Sequence, residues 1–569
     1  MKRTLAVLLV LCSCALGSGF RPVHADHGMV ASIHAEASQV GVDIMRAGGN
    51  AVDAAVATGF ALAVVHPQAG NIGGGGFMLF RSASGEVHFL DYREKAPARA
   101  TASMYQDEKG NIIPNLSIDG YKSIGVPGSV AGLVYAQRHW GKLPLARVMA
   151  PAIRLAREGF VLTFSDANAL REEKLALFPE SRGVFQRNGN FYKPGDVFKQ
   201  PELARTLERI AADPDDFYRG AMARQIAEAV QKGGGLITAG DLAAYKAIER
   251  QPIHGTYKGF DIYSAPPPSS GGIALVETLN ILETFDLRAI SLRSAAGVHL
   301  VAEAYRRAFF DRSEFLGDSD FTQVPVAQLT DKKYAAKWRD GIDPDHATPS
   351  AALKRPVFEE LDRAAALHAP HVGPESENTT HYSVVDSDGN AVSVTTTLND
   401  SFGAKVTVDG LGFLLNDEMD DFSSKPGEPN QFGLREGIAN AIAPGKRPLS
   451  AMTPTIVVRD GKPVLVLGSP GGPTIITTVA NVLLNSIDSG YDIQQAVNAP
   501  RFHMQWMPDV LRVEGIQTSP DTIQLLEKMG YKVERKKVWG DAECIAIDPK
   551  TGERLGASDA RNEGKAIGY

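Results

Sequence analysis

Asn378-Thr379-Thr380-His381-Tyr382-Ser383-Val384-Val385-Asp386 is the stretch on which the reading of this 569-residue chain turns. A polar segment, residues 354–377 with Pro356, Pro370 and Pro374, runs directly into it. Behind it comes Asp388-Gly389-Asn390, a turn signal. Then Ala391-Val392-Ser393-Val394-Thr395-Thr396-Thr397-Leu398 alternates and is rich in β-branched residues. Two such runs around a Gly-containing turn predict a β-hairpin. A polar leader abutting a strand headed by a threonine poses a question: is the chain cut before Thr379, making it a new N-terminus?

Working outward, further hairpins are predicted. Phe77 to Phe80 and Val87 to Tyr92 flank Ser82-Ala83-Ser84-Gly85. Thr455 to Val458 and Val464 to Leu467 flank Asp460-Gly461-Lys462, and Cys544 to Ile547 pairs with Arg554 to Ala557. Met29 to Ser32 reads as a first strand. A helix ends at Gly48-Gly49, and Asn50 can cap the next, residues 51–65, which is apolar all round and therefore a core element. Gly73-Gly74-Gly75-Gly76 lacks the Gly-Lys-Ser/Thr of a phosphate loop and instead permits close backbone approach. Residues 128–345 are expected to be mostly helical. They include Ser264-Ala265-Pro266-Pro267-Pro268-Ser269-Ser270, a rigid loop entering a helix. Antiparallel hairpins with many helices make the fold class α+β, two packed sheets covered by helices.

Composition is ordinary for a globular protein, 44% hydrophobic and 22% charged. Residues 1–25 read as a secretory signal peptide. Lys2 and Arg3 precede a short apolar run, and Val23-His24-Ala25 offers the small residues that a signal peptidase needs. A secreted or periplasmic location follows, with lipid attachment at Cys14 as a lesser variant. No later stretch is apolar enough for a span, so no stable membrane anchor is expected. Loss of Lys2, Arg3 and Arg21 moves the formal charge from −7 to −10. That acidity argues against nucleic acid and anionic membranes as partners. Cys544 is then the one remaining cysteine, which forbids an intramolecular disulfide, and its strand pattern makes it a buried small hydrophobe.

Common nucleophile signatures are missing. Gly468-Ser469-Pro470-Gly471-Gly472 is no nucleophile elbow, because Ser469 follows Gly468 directly. His368-Ala369-Pro370-His371 reads as a solvated loop rather than a metal site. An N-terminal nucleophile remains. A threonine hydroxyl needs a base. A cut before Thr379 would supply one, its own α-amine, with an ordinary pKa of about 7.7–8.0. From the pattern alone, a plain buried strand threonine is the favoured reading.

Thr379 to Asp386 resembles γ-glutamyltransferase (γ-glutamyltranspeptidase). So do Thr397-Leu398-Asn399, Leu414-Leu415-Asn416-Asp417-Glu418-Met419-Asp420-Asp421-Phe422, Lys446-Arg447-Pro448-Leu449-Ser450 and Gly468-Ser469-Pro470-Gly471-Gly472. The N-terminal half adds Ala47-Gly48-Gly49-Asn50-Ala51-Val52-Asp53-Ala54-Ala55, Gly73 to Phe77 and Asp91-Tyr92-Arg93-Glu94. The resemblance is collinear over nearly the whole chain.

It implies a four-layer αββα sandwich of N-terminal-nucleophile hydrolase type. Self-cleavage between Asn378 and Thr379 would give a large chain, 26–378, and a small chain, 379–569, that stay together as a heterodimer. Thr379 would form a γ-glutamyl ester with a donor such as glutathione, then pass the group to water or to an amino-acid or peptide acceptor, without a cofactor. Thr397 would orient the nucleophile by bonding its amine. Gly471 and Gly472 would form an oxyanion hole. Arg93 would grip the substrate α-carboxylate with Ser450, and Asn399, Glu418 and Asp421 would hold the α-ammonium. The family usually has two serines where this chain has Ser450-Ala451, so one hydroxyl is replaced by the Ala451 backbone N–H alone. Phe432, within Pro429 to Leu434, falls where a lid tyrosine is common. Read without the resemblance, Arg93 is a surface ion pair with Glu94, and Asp417 to Asp421 is a solvated acidic turn. A glutaryl-cephalosporin-type acylase on the same scaffold is the alternative, and an inactive binding protein a third reading.

Overall fold

In this computed structural model the described residues are 21–358, 361, 372–373, 378–425 and 435–569. The predicted hairpin forms as Thr379–Val385 and Ala391–Thr397, in a register that sets Thr379 directly opposite Thr397. It occupies the middle of a seven-stranded antiparallel sheet. The strand order is Lys565–Gly568, Met29–Ser32, Thr379–Val385, Ala391–Thr397, Gly75–Arg81, Val87–Asp91, Ile248–Arg250. A second antiparallel sheet of seven runs Val23–Ala25, Arg554–Ala557, Cys544–Ile547, Lys462–Leu467, Thr455–Arg459, Phe260–Ser264, Ile253–Tyr257.

The period-two alternation of the strands dictates the layers. From the first sheet, Val30, Met78, Phe80, Leu90, Tyr382, Val384, Val392 and Val394 point one way. They pack beneath helices Ala35–Arg46, Ala51–Val65, Ser129–Trp140 and Leu145–Glu158. Met29, Ala31, Phe77, Leu79 and Phe89 point the other way, into the core between the sheets. That inner layer also carries polar ties: Ser383 Oγ donates to the Glu543 carbonyl at 2.7 Å and Ser393 Oγ to that of Leu467 at 2.9 Å. Beyond the second sheet lie helices Gly271–Leu282, Ala295–Phe315 and Thr474–Ile487. Helix, sheet, sheet, helix makes the expected αββα sandwich. The Ala51–Val65 helix is buried along its whole length, and Asn50 caps it in a reciprocal box with Asp53.

The expectation of a mostly helical 128–345 needs one correction. Ile253–Tyr257 and Phe260–Ser264 form a hairpin that completes the edge of the second sheet. Its turn residues, Lys258 and Gly259, both have positive φ (46° and 84°), as a two-residue turn of the primed type demands. A small sheet of Phe502–His503, Leu511–Glu514 and Val533–Lys536 was equally unforeseen. Val23–Ala25, inside the predicted leader, is an edge strand on Arg554–Ala557. Cys544 is a buried free thiol, and burial raises its pKa. Among the described residues no helix is long and apolar enough to cross a membrane.

Candidate active site

Strand register brings the nucleophile and its neighbour together. The Thr379 hydroxyl donates to Thr397 Oγ1 at 3.3 Å. The Thr397 hydroxyl donates to the Asn378 carbonyl oxygen at 2.9 Å and accepts from the Asn399 N–H at 2.9 Å. Thr397 therefore polarises the carbonyl of the Asn378–Thr379 peptide while touching the hydroxyl that would attack it. Thr397 meets the Thr379 hydroxyl here; the expected contact to a Thr379 amine would require a cut before that residue. Two nearby histidines are poor bases. Burial pushes His381 down to about 3, and burial with the adjacent His34 does the same to His66. Both are neutral, weakly basic imidazoles at pH 7.

Gly471 and Gly472 lie between strand Lys462–Leu467 and the N-terminus of helix Thr474–Ile487. Their φ angles, 132° and 55°, are open chiefly to glycine, and a Cβ on Gly471 would stand 2.4 Å from Thr474 Oγ1. Among the described residues neither N–H donates to a protein acceptor. Two such donors beside a helix N-terminus can stabilise a developing oxyanion. Pro470 shares a cavity of about 220 Å³ with Asn378 and Thr379, walled further by Trp539, Asp541 and Asn562.

The charged residues converge on Arg93, which is fully buried. The surface ion pair is thus not what forms. Arg93 Nη1 pairs with Glu418 and Nη2 with Asp421, and Glu94 lies 3.9 Å from Nη1. The acidic turn is likewise no solvated loop: Glu418–Asp421 is a buried 3₁₀ turn. One guanidinium faces three carboxyls. Burial raises Glu94 to about 7 and raises Glu418 and Asp421, against the opposing pull of Arg93. Glu94 and Glu418 thus share one buried guanidinium, and burial favours the protonated form of each. The arginine predicted to hold a carboxylate and the acids predicted to hold an ammonium pair with each other. A zwitterionic α-amino acid could exchange into both halves.

This cluster lies close to the nucleophile. Thr379, Thr397 and Gly75 form one row across three strands. A Cβ on Gly75 would lie 2.4 Å from Glu94 Oε2, so the glycine admits the acid to the strand. Asn399 donates from Nδ2 to the Asp417 carbonyl at 3.1 Å, beside the acidic turn. The Arg93 side chain also reaches the Leu449 carbonyl at 3.3 Å, next to Ser450. Ser450 and Ala451 are buried; the Ser450 hydroxyl accepts from the Met452 N–H at 3.0 Å.

Sequence reasoning missed the supports. Asn440 donates to the Asp421 carbonyl at 2.7 Å and accepts from the Leu449 N–H at 2.9 Å, tying the acidic turn to the Ser450 segment. Ser270 donates to the Ser450 carbonyl at 2.7 Å and accepts from Arg312 Nε at 2.9 Å. The serine pair ending the proline loop was the available hint. Phe432, His368 and His371 lie outside the described residues.

Fold and site together define a class: an αββα hydrolase of the N-terminal-nucleophile type, with a threonine at the head of a central strand. The chain belongs to the γ-glutamyltranspeptidase family, whose model, described as Gamma-glutamyltranspeptidase, matches residues 37–569. It is 52% identical over 547 residues to the glutathione hydrolase proenzyme of Escherichia coli K12, covering 95% of this chain and 92% of that protein. The crystal structure of Helicobacter pylori γ-glutamyltranspeptidase superposes with a TM-score of 0.56 at 46% identity. That chain is covered over 93% of its length by 56% of ours. Cephalosporin acylase from Bacillus halodurans matches 99% of both chains with a TM-score of 0.85 at only 28% identity.

Proposed function

We propose that this chain is the precursor of a two-chain γ-glutamyl hydrolase and transpeptidase acting on glutathione and related γ-glutamyl amides. The observation that carries the reading is the contact of Thr397 with both the Thr379 hydroxyl and the Asn378 carbonyl. In self-cleavage Thr379 Oγ1 bonds to the Asn378 carbonyl carbon. The C–N bond breaks, and the freed nitrogen takes the hydroxyl proton. Water then hydrolyses this ester, leaving an Asn378 carboxylate and a Thr379 that carries both hydroxyl and amine. In turnover the amine takes the hydroxyl proton as Oγ1 attacks the γ-carbonyl, and returns a proton to the departing amine.

Gly471 and Gly472 face the oxyanion, and Arg93 with Ser450 and Ala451 receives the donor's α-carboxylate. Asn399, Glu418 and Asp421 receive its ammonium. Water or the amine of an amino acid or peptide then takes the glutamyl group from the ester. The 220 Å³ cavity beside Thr379 leaves room for that amine. The large chain is 26–378, the small chain 379–569, and residues 1–25, read as a secretory leader, support a periplasmic or secreted location. The acylase alternative is disfavoured by the retained Glu418 and Asp421, because a glutaryl group has no ammonium to bind.

N-terminal sequencing of the purified protein tests this. A second sequence beginning Thr-Thr-His-Tyr is expected, and Thr379→Ala should leave a single uncut chain on a denaturing gel. Two chains from that variant would overturn the reading. Comparable rates on γ-glutamyl and glutaryl amides would restore the acylase.

A further inference from the structure

The residue before the scissile bond is held at two points. Its carbonyl accepts from Thr397. Its side chain, through Nδ2, donates to Asp400 Oδ1 at 3.0 Å. We propose that Asp400 is a positioning residue for self-cleavage, fixing Asn378 through its side-chain amide so that the carbonyl carbon stays in front of the Thr379 hydroxyl. The inference rests on the two-chain reading above.

Asp400 is itself firmly placed. Its Oδ1 also accepts from the Ser401 N–H at 2.8 Å, and its Oδ2 lies 3.1 Å from the buried Lys405 ammonium. Its own N–H donates to Asp417 Oδ1 at 2.9 Å. The loop winds tightly, with positive φ at Asn399 (80°), Phe402 (61°), Gly403 (55°) and Lys405 (63°). A rigid loop, opened by the strand that carries Thr397, thus presents a carboxylate at a fixed distance from the polarising hydroxyl. A carboxylate acceptor makes a stronger bond to an amide than a neutral one. Two anchors on one residue, at its carbonyl and at its side chain, remove the rotation that a single anchor leaves. Near-attack placement of this kind is worth large rate factors.

The clamp serves the precursor only. Cleavage turns the Asn378 carbonyl into a carboxylate in the neighbourhood of the Asp400 carboxylate. Like charges then oppose the return of the new terminus, while γ-glutamyl turnover proceeds without Asn378.

The experiment follows freshly synthesised precursor on a denaturing gel for wild type, Asp400→Ala, Asn378→Ala and the double variant. Each single change should slow cleavage about tenfold, the scale of one hydrogen bond to a charged group. The double should be no slower than the slower single, because one contact is lost in all three. Asp400→Asn, which keeps a carbonyl acceptor, should recover part of the rate. Turnover of a γ-glutamyl anilide, counted per chain starting at Thr379, should stay within about threefold of wild type in Asp400→Ala. Wild-type cleavage in Asp400→Ala, multiplicative losses in the double, or a parallel fall in turnover would each overturn the proposal. Should Asp400→Ala fail to fold, Asp400→Leu, which also removes the acceptor, paired with Asn378→Ala gives the same cycle. A wild-type chain that never cleaves would instead sink the two-chain reading and leave the clamp contact unimplicated.

Discussion

Thr379 and Thr397 stand opposite one another on neighbouring strands with their hydroxyl oxygens 3.3 Å apart, and the second of these hydroxyls bonds the Asn378 carbonyl, which the first attacks in the proposed self-cleavage. A β-ladder is a rigid way to hold that relationship, because a one-residue slip would turn Thr379 to the opposite face of the sheet. Replacing Thr397 by Val keeps the strand and removes the donor. Self-cleavage should slow by about 10²-fold, the scale for losing one donor to a developing oxyanion. Thr397→Ser should retain most of the rate. A time course of the two-band pattern measures it, and a Val variant that cleaves like wild type would remove Thr397 from the chemistry.

Among the described residues Arg93 is the cation paired directly with Glu418 and Asp421, and all three side chains are buried. Arg93→Ala strands those carboxyls, and breaking a buried pair by removing one partner costs about 3–5 kcal/mol. The loss should shrink in acid, where the acids are protonated. Denaturant unfolding of the substrate-free protein at pH 5 and pH 8 tests this through the difference between the two values. Arg93→Lys keeps a charge but loses the planar fork, so KM for a γ-glutamyl donor should rise more than kcat falls.

Glu94 gives a pH dependence of definite sign. Its folded pKa, about 7, stands above the ordinary value of 4.5 because burial disfavours its charged form. Below pH 4.5 the group is protonated in both states, and its full contribution to stability is present. Between 4.5 and about 7 the unfolded chain ionises while the folded one holds its proton, so stability falls as pH rises. Beyond about 7 no further loss comes from this group. The span is of the order of 3 kcal/mol. Glu94→Gln should flatten the profile of unfolding free energy across this window. Parallel wild-type and variant profiles from pH 4 to 8 would show that Glu94 titrates normally.

What sequence reveals here is what depends on local pattern. The alternation around Thr379 gave the central hairpin, and the all-apolar run after Asn50 gave the buried helix. The Arg93 cluster depends instead on three segments far apart in the chain, at 93–94, 418–421 and 448–450, joined by the Arg93 side chain and, for the last two, by Asn440. No periodicity marks such a meeting, and an Arg-Glu dipeptide reads locally as surface. Ser270 and Arg312 were hidden for the same reason. The Ile253–Ser264 hairpin is different: its alternation and Lys258-Gly259 turn are local signals, set among flanking helices. The resemblance to a family, rather than spacing, pointed to Arg93, Glu418 and Asp421.

Gly468 supplies a final test of how the strand head is held. A Cβ there would lie 2.1–2.5 Å from three atoms of the His381 ring. That ring is locked between Thr395 Oγ1 at 2.9 Å and Ser383 Oγ at 3.1 Å, two residues along from Thr379. Gly468→Ala must push the ring or the strand aside. Overpacking of this kind costs about 1–3 kcal/mol, and a shift of the strand head should cost far more in cleavage and turnover than in stability. His381→Ala on top of Gly468→Ala removes the obstacle, so the double variant should regain thermal stability relative to Gly468→Ala alone. Thermal unfolding and anilide turnover, measured side by side, separate the two effects. A Gly468→Ala protein that melts and turns over like wild type would mean that the ring moves freely and plays no part in placing Thr379.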